Sequence, residues 1–258
     1  MTATSGTPAR AVPVWPYPRL VAHRGGGALA PENTLAAIDT GARLGLKMIE
    51  FDAKLSADGV VFLLHDDTVE RTSNGRGPAA RKRYAELAAL DAGSWFDARF
   101  LGERMPTLTQ VHERCAALGL AANIEIKPSP GCEVETGRLV ADEAARLWCD
   151  AEVAPLLSSF SHEALAAARD AQPDLPRGLL FGAVPADWHA RTQALACLSL
   201  HADHRKLDAA LVAEIKAAGL CILAYTVNAP ERARMLAQWG VDAICTDRID
   251  LMGAAFLG

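Results

Sequence analysis

The run Met48-Ile49-Glu50-Phe51-Asp52-Ala53-Lys54-Leu55-Ser56-Ala57-Asp58-Gly59-Val60-Val61-Phe62-Leu63-Leu64-His65 holds two strand-like segments, 48–55 and 60–65, with four residues between them. Parallel neighbours need a crossover of a dozen or more residues, so these two segments form an antiparallel hairpin with an Asp-Gly turn. A two-residue loop centred on Ala57 and Asp58 sets Glu50 across from His65, whereas one centred on Asp58 and Gly59 sets Asp52 there. In either register a carboxylate faces the histidine.

Outward from this hairpin the pattern changes. Strand-like runs at 20–23, 48–55, 122–126, 156–160, 177–181, 197–202, 221–227 and 243–246 alternate with helical stretches at 31–44, 109–118, 133–148, 162–171, 187–194, 207–218 and 230–239. Alternation of this kind belongs to α/β proteins with parallel strands, and eight such strands in a chain of 258 residues predict a (β/α)8 or TIM barrel. The hairpin strand after strand 2 is an addition to it. Residues 66–108 are rich in turn formers (Ser73, Asn74, Gly75, Gly77, Pro78) and carry the aromatic group Trp95, Phe96 and Phe100, and they predict a small inserted cap. The expected organisation is a flexible tail over 1–19 and one domain over 20–258.

Composition narrows the function classes. A net charge of −5 and a pI near 5.8 exclude gripping nucleic acid or anionic lipid by overall charge, so the expected partner is a small molecule. No apolar stretch approaches the ~18–20 residues that span a bilayer. The first nineteen residues have neither the basic start nor the apolar run of an export signal. The six cysteines are scattered without a C-x-x-C pair, which suits reduced thiols and a cytoplasmic location. The oligomeric state is not set by the sequence.

The chemistry-bearing residues stand at strand ends. Val21-Ala22-His23-Arg24-Gly25-Gly26-Gly27 closes the first strand, and a histidine, a guanidinium and glycine amides together suit proton transfer beside an anion. Glu50 and Asp52 are two apart and share a strand face, as do Glu125 and Lys127 in Asn123-Ile124-Glu125-Ile126-Lys127. Barrel interiors are normally filled by Val, Ile and Leu, so inward carboxylates need a partner. Three carboxylates without cysteine make a hard oxygen site for one divalent ion, Mg2+ or Ca2+. The bland alternative is a ring of salt bridges among Glu50, Asp52, Glu125, Arg24 and Lys127. His201 and His204 could ligate a metal but read better as rim or helix-cap residues, and His112, His162 and His189 read as ordinary helical residues. Ser94 lacks the G-x-S-x-G elbow of a serine nucleophile.

Taken in order, His23-Arg24-Gly25, Ala30-Pro31-Glu32-Asn33-Thr34, Glu50-x-Asp52, His65-Asp66, Arg71-Thr72-Ser73-Asn74-Gly75, Leu90-Asp91-Ala92-Gly93-Ser94-Trp95-Phe96, Met105-Pro106-Thr107-Leu108, Glu125-Ile126-Lys127, Ser159-Phe160, Thr226-Val227-Asn228 and Thr246-Asp247 resemble the glycerophosphodiester phosphodiesterases. The resemblance spans roughly residues 20–250 and implies a TIM barrel with a small insertion. It implies further that His23 and His65 are the general acid and base, that Glu50, Asp52 and Glu125 hold the metal, and that Arg24 and Lys127 contact phosphate. Trp95, Phe96, Phe160 and Tyr225 are implied as substrate walls. Tyr225 and Ser73 depart from the Trp and Thr common in the family, which bears on pocket shape. The implied reaction is hydrolysis of a glycerophosphodiester to sn-glycerol 3-phosphate and an alcohol, by way of a cyclic phosphate. The short insertion resembles the cytosolic bacterial branch. A lysophospholipase D-like activity and a non-catalytic binding barrel are the alternatives.

Overall fold

The apolar strand runs pair in parallel and close into a ring. The computed structural model describes residues 14–253 and 255–257. Among the described residues the strands are β1 (Leu20–Ala22), β2 (Met48–Leu55), β3 (Val61–Leu63), β4 (Ala121–Ile126), β5 (Leu156–Ser159), β6 (Arg177–Phe181), β7 (Ser199–Asp203), β8 (Cys221–Tyr225) and β9 (Ala243–Thr246). All but β3 are barrel strands, in the ring order β1-β2-β4-β5-β6-β7-β8-β9, and the parallel pairing of β9 with β1 closes the barrel. The expected fold is therefore the observed one.

Beside four short 3-10 turns, the α-helices among the described residues are α1 (Leu35–Arg43), α2 (Tyr84–Ala88), α3 (Leu108–Leu118), α4 (Glu133–Leu147), α5 (His162–Ala171), α6 (Trp188–Ala194), α7 (Ala209–Ala217) and α8 (Pro230–Trp239). All except α2 connect barrel strands, and the described residues after β9 are bends and turns. Four helix starts are set by side-chain caps: Thr34, Ser161 and Asp208 each accept from a backbone N–H of the first turn, and Thr107 forms a capping box with Gln110. That is why α1 begins at Leu35 rather than at residue 31: Thr34 is its cap, and Asn33 before it has φ 59°.

Strand periodicity sorts the side chains. Ile49, Phe51 and Ala53 of β2 face outward into the main core beneath the helices, while Glu50 borders the barrel's central cavity. Below that cavity, Val21, Met48, Leu156, Leu223, Ala243 and Cys245 pack with Tyr17, whose hydroxyl donates to Ala154 O at 3.0 Å. Residues 1–13 lie outside the described residues. Residues 14–19 correct the expectation of looseness over 1–19, because the Tyr17 ring is buried against the barrel floor.

The hairpin is antiparallel as expected, but its register is neither of the two considered. Ala53 pairs Leu63 and Leu55 pairs Val61, with Ala57, Asp58 and Gly59 forming a three-residue loop in which Gly59 takes φ 75°. Ser56 holds the longer loop: its Oγ accepts from Val60 N at 3.0 Å and donates to Asp58 Oδ1 at 2.7 Å. Continued upward, this ladder would set Phe51 across from His65, not a carboxylate. Instead β3 ends at Leu63, and His65 lies beyond the sheet. The inserted 66–107 segment has its own small core, in which Phe62, Leu64, Val69, Leu87 and Met105 pack together. No helix among the described residues is long and apolar enough to cross a membrane.

Candidate active site

β1 ends at Ala22, and the chain turns through Arg24 at φ 51° and Gly25 at φ 84°. The turn is tight on its neighbours: a Cβ on Gly27 would sit 2.3 Å from Asp247 O. It aims Arg24 N at Glu50, donating to Oε2 at 3.0 Å, and leaves His23 Nε2 3.9 Å from the same oxygen. On the neighbouring strand β4, register sets Asn123 beside Glu50 and Glu125 beside Asp52. One carboxylate oxygen from each of Glu50, Asp52 and Glu125 lies within 4.8 Å of the others, and all three residues are buried.

The alternative, a salt-bridge ring, is present in part: Asp52 and Glu125 pair with Arg24 and Lys127, whereas Glu50 has only His23 Nε2 at 3.9 Å. Lys127 Nζ lies 2.8 Å from Glu125 Oε1 and 3.7 Å from Asp52 Oδ1, and Arg24 Nε lies 3.4 Å from Asp52 Oδ2. Two cations do not balance three buried carboxylates, and a His23 imidazolium is already matched by Asp247 at 2.6 Å. Burial, and then the Asp52 charge, push both Glu50 and Glu125 above the ordinary carboxylate range. Burial acts upward on Asp52 too, but Arg24, Lys127, His65 and a 2.8 Å hydrogen bond from Asn33 Nδ2 outweigh it and hold Asp52 low. The cluster is thus short of positive charge. Arg24 Nε is also a buried donor without a hydrogen-bond acceptor. A donor set of three oxygens with this deficit fits a hard divalent ion.

Each histidine is held by its own aspartate. His23 Nδ1 lies 2.6 Å from Asp247 Oδ1, and Asp247 is fixed in turn by Asn228, whose Nδ2 donates to Oδ2 at 2.9 Å. His65 Nδ1 lies 2.7 Å from Asp66 Oδ1. With Nδ1 donating to carboxylate, Nε2 of each ring is left for chemistry. Burial disfavours the His23 imidazolium, but the Asp247 hydrogen bond and the Glu50 charge outweigh it and raise its pKa. For His65 burial wins over Asp52 and Asp66, and the pKa falls below the ordinary histidine value.

His23, Arg24, Glu50, His65, Glu125, Lys127, Phe160 and Tyr225 surround one cavity of about 180 Å³ at the C-terminal ends of the strands. Phe160 and Tyr225 meet edge-on at 5.8 Å, Lys127 Nζ lies 5.4 Å from the Phe160 ring centre, and the Tyr225 hydroxyl donates to Phe181 O at 2.9 Å. Trp95 and Phe96 stand apart from that cavity. They wall an adjoining groove of about 330 Å³ together with His23, Arg24, Glu32 and Asp247. A third and larger recess, about 610 Å³, opens past His65 and Lys127 beside Phe160.

Other expectations resolve differently. His201 is neither rim nor cap but a fully buried residue of β7, its Nε2 2.9 Å from Ser199 Oγ, and burial lowers its pKa to about 3. His204 does sit in a turn after β7, beside Arg232. His112 packs edge-on against Trp148 in the core wall. Asp247, Asp66, Asn33 and Glu32 were given no role by the sequence reading. For Asp66 and Asp247 the available signal was an acidic residue immediately beside a predicted strand end; Glu32 and Asn33 lay within the predicted helical stretch 31–44 and carried no such signal.

Residues 23–251 match the model of the Glycerophosphoryl diester phosphodiesterase family. A glycerophosphodiester phosphodiesterase of Caldanaerobacter subterraneus subsp. tengcongensis is 35% identical over 234 residues, covering 88% of this chain and 93% of its own. Among solved structures, an Oleispira antarctica phosphodiesterase in complex with the product sn-glycerol-3-phosphate superposes with TM-score 0.84 at 36% identity, covering 90% of this chain and 93% of its own. A glycerophosphodiester phosphodiesterase from Agrobacterium tumefaciens gives TM-score 0.76 at 30% identity, over 91% and 98% of the two chains.

Proposed function

Because the chain belongs to the glycerophosphodiester phosphodiesterase family and is a phosphoric diester hydrolase, we propose that it cleaves small glycerophosphodiesters to sn-glycerol 3-phosphate and an alcohol, with His23 as acid and His65 as base. The observation that carries this reading is the pair of Asp-anchored imidazoles with opposite pKa shifts on either side of the Glu50, Asp52 and Glu125 cluster.

Glu50, Asp52 and Glu125 would hold a divalent ion, Mg2+ or Ca2+, which when bound supplies Lewis-acid polarisation and a template for the glycerol phosphate. Arg24 and Lys127 neutralise charge developing on the phosphoryl oxygens. His65, neutral at the start, takes the proton of the glycerol 2-hydroxyl through Nε2, and that oxygen attacks phosphorus. His23, protonated at the start, gives its Nε2 proton to the departing alcohol oxygen. A five-membered cyclic phosphate and free alcohol result. In the second half the roles reverse: His23 takes a proton from water as it attacks, and His65 returns one to the 2-oxygen. The central cavity of about 180 Å³ suits the glycerol phosphate arm, and the open recesses leave room for the alcohol.

Glycerophosphocholine with Mg2+ should release sn-glycerol 3-phosphate, and a chelator should abolish that release. The propanediol analogue lacking the 2-hydroxyl should bind but react far more slowly, having lost an intramolecular nucleophile. Rapid cleavage of the analogue would mean direct attack by water and end the cyclic route. Absence of turnover on a panel of glycerophosphodiesters, with hydrolysis of lysophospholipid in mixed micelles, would favour the lysophospholipase D-like alternative.

A further inference from the structure

Resting on the reading of His65 as the base, we propose that Arg71, in the inserted segment, is a positioning residue that clamps the two sides of the active site together through Asp66 and Glu32.

The need for a clamp comes from the hairpin. β3 ends at Leu63, and the last ladder bond is Leu64 N to Asp52 O at 3.1 Å, so the sheet does not set the direction of the His65 side chain. What fixes that ring is Asp66, and what fixes Asp66 is Arg71: Nε donates to Oδ2 at 2.6 Å and Nη2 to Oδ1 at 3.0 Å. The remaining edge of the same guanidinium grips Glu32, Nη1 to Oε2 at 2.7 Å and Nη2 to Oε1 at 2.8 Å. Glu32 in turn accepts from Arg24 Nη1 at 2.7 Å. One residue of the insertion thereby joins the His65 side of the cavity to the Arg24 side by two two-point contacts. A planar fork with five donors can make both at once, and an ammonium cannot. Lys54 provides a second tether to the same segment, its buried Nζ lying 3.0 Å from Asp67 Oδ1. Arg71 also holds the Asp66 carboxyl far below the ordinary range, so the partner of His65 stays a carboxylate.

Arg71 is 44% exposed, and ion pairs at such positions add little to folding stability. A clamp and a merely structural residue therefore differ in what they change. Replacing the clamp should leave the melting temperature nearly untouched while loosening a catalytic group, and misplacement of about 1 Å costs about 10^2-fold in rate.

The test uses Arg71→Met, Arg71→Lys and Asp66→Asn in the full chain with Mg2+. Expected for Arg71→Met is a fall in kcat of about 10- to 100-fold with glycerophosphocholine. Arg71→Lys, which keeps the charge but not the planar fork, should recover only part of that loss. The Asp66→Asn/Arg71→Met double variant should be no slower than the slower single, because both act through one contact. A second readout needs no turnover: long-range 1H–15N correlation spectra of histidine-labelled protein at about pH 8, where His65 is neutral. The parent should show His65 as a single tautomer with Nδ1 protonated, and Arg71→Met should show a mixture. An unchanged His65 tautomer in Arg71→Met overturns the proposal whatever the rate does. If the parent protein hydrolyses no glycerophosphodiester while Arg71→Met still mixes the tautomers, the clamp stands and the reading of the reaction falls.

Discussion

At the scale of single residues, the two histidines are chemically unequal because their surroundings are. His23 sits where Asp247 and Glu50 outweigh burial, and His65 where burial prevails. Environments that push two titratable groups apart give one fold both an acid and a base at the same pH. His23→Ala and His65→Ala should each lower kcat by about 10^2- to 10^4-fold, the range for losing a general acid or base, with the fold intact by circular dichroism. The double variant should fall short of the product of the two, since groups acting as a unit are not additive. Near-parental kcat in either single variant would remove that histidine from the reaction. Asp247 and Asp66 matter for a related reason: each fixes which nitrogen of its partner ring carries the proton.

Among elements, the inserted segment shows how a loop can be made rigid without regular structure. Asp91 accepts three backbone N–H bonds, from Gly93 at 3.0 Å, Ser94 at 2.8 Å and Gly102 at 2.7 Å, and so closes the loop that presents Trp95 and Phe96. Gly93 is required there, because a Cβ would meet Phe100 O at 2.0 Å. Phe96 bridges edge-on between Trp95 at 5.6 Å and Phe100 at 5.7 Å. Removing the Asp91 carboxylate takes the acceptor from three donors; Ser94 N and Gly102 N belong to exposed residues that water can reach, but Gly93 is buried, and an unsatisfied buried donor costs about 1–3 kcal/mol. Asp91→Ala should lower the melting temperature and raise KM by a larger factor than it lowers kcat, since the loop walls the groove beside His23 rather than the cavity itself. A KM unchanged within twofold would show that Trp95 and Phe96 do not bear on substrate.

For the molecule as a whole, the carboxylate cluster sets how stability depends on pH and metal. In the metal-free chain Glu50 and Glu125, held above the ordinary carboxylate range, keep protons that the unfolded chain has lost. Groups of that kind give stability that is complete below the unfolded pKa and lost as pH rises through the folded one. Asp52, held low, has the opposite sign and acts in the acid range below the ordinary carboxylate value. Melting temperature of the chelated protein should therefore fall from about pH 5, just above the ordinary carboxylate range, to about pH 8, where buried Glu50 titrates, and saturating Mg2+ should remove the fall. At 100 times its dissociation constant an ion that binds only the folded chain adds about 2.7 kcal/mol, or roughly 5 °C or more for a chain of this size. Calorimetry with Mg2+, Ca2+ and chelator decides this, and a metal-independent, pH-flat melting temperature would remove the ion from the cluster.

The sequence alone determined the alternation of strand and helix, the antiparallel sense of the one hairpin and the inward carboxylates of β2 and β4. All of these rest on local period and on loop lengths too short for a crossover. Glu50, Asp52, Glu125, His23 and Lys127 were legible because each stands a fixed step from the end of a strand whose face is known. The direction of His65 was not, because one extra loop residue at Ala57-Asp58-Gly59 shifts the register and the strand stops short of it. Nor were the His23–Asp247 pair, 224 residues apart in sequence, and the grip of Arg71 on Glu32, 39 apart. Period and spacing carry no signal for such pairs, since only closure of the barrel and folding of the insertion bring them within bonding distance.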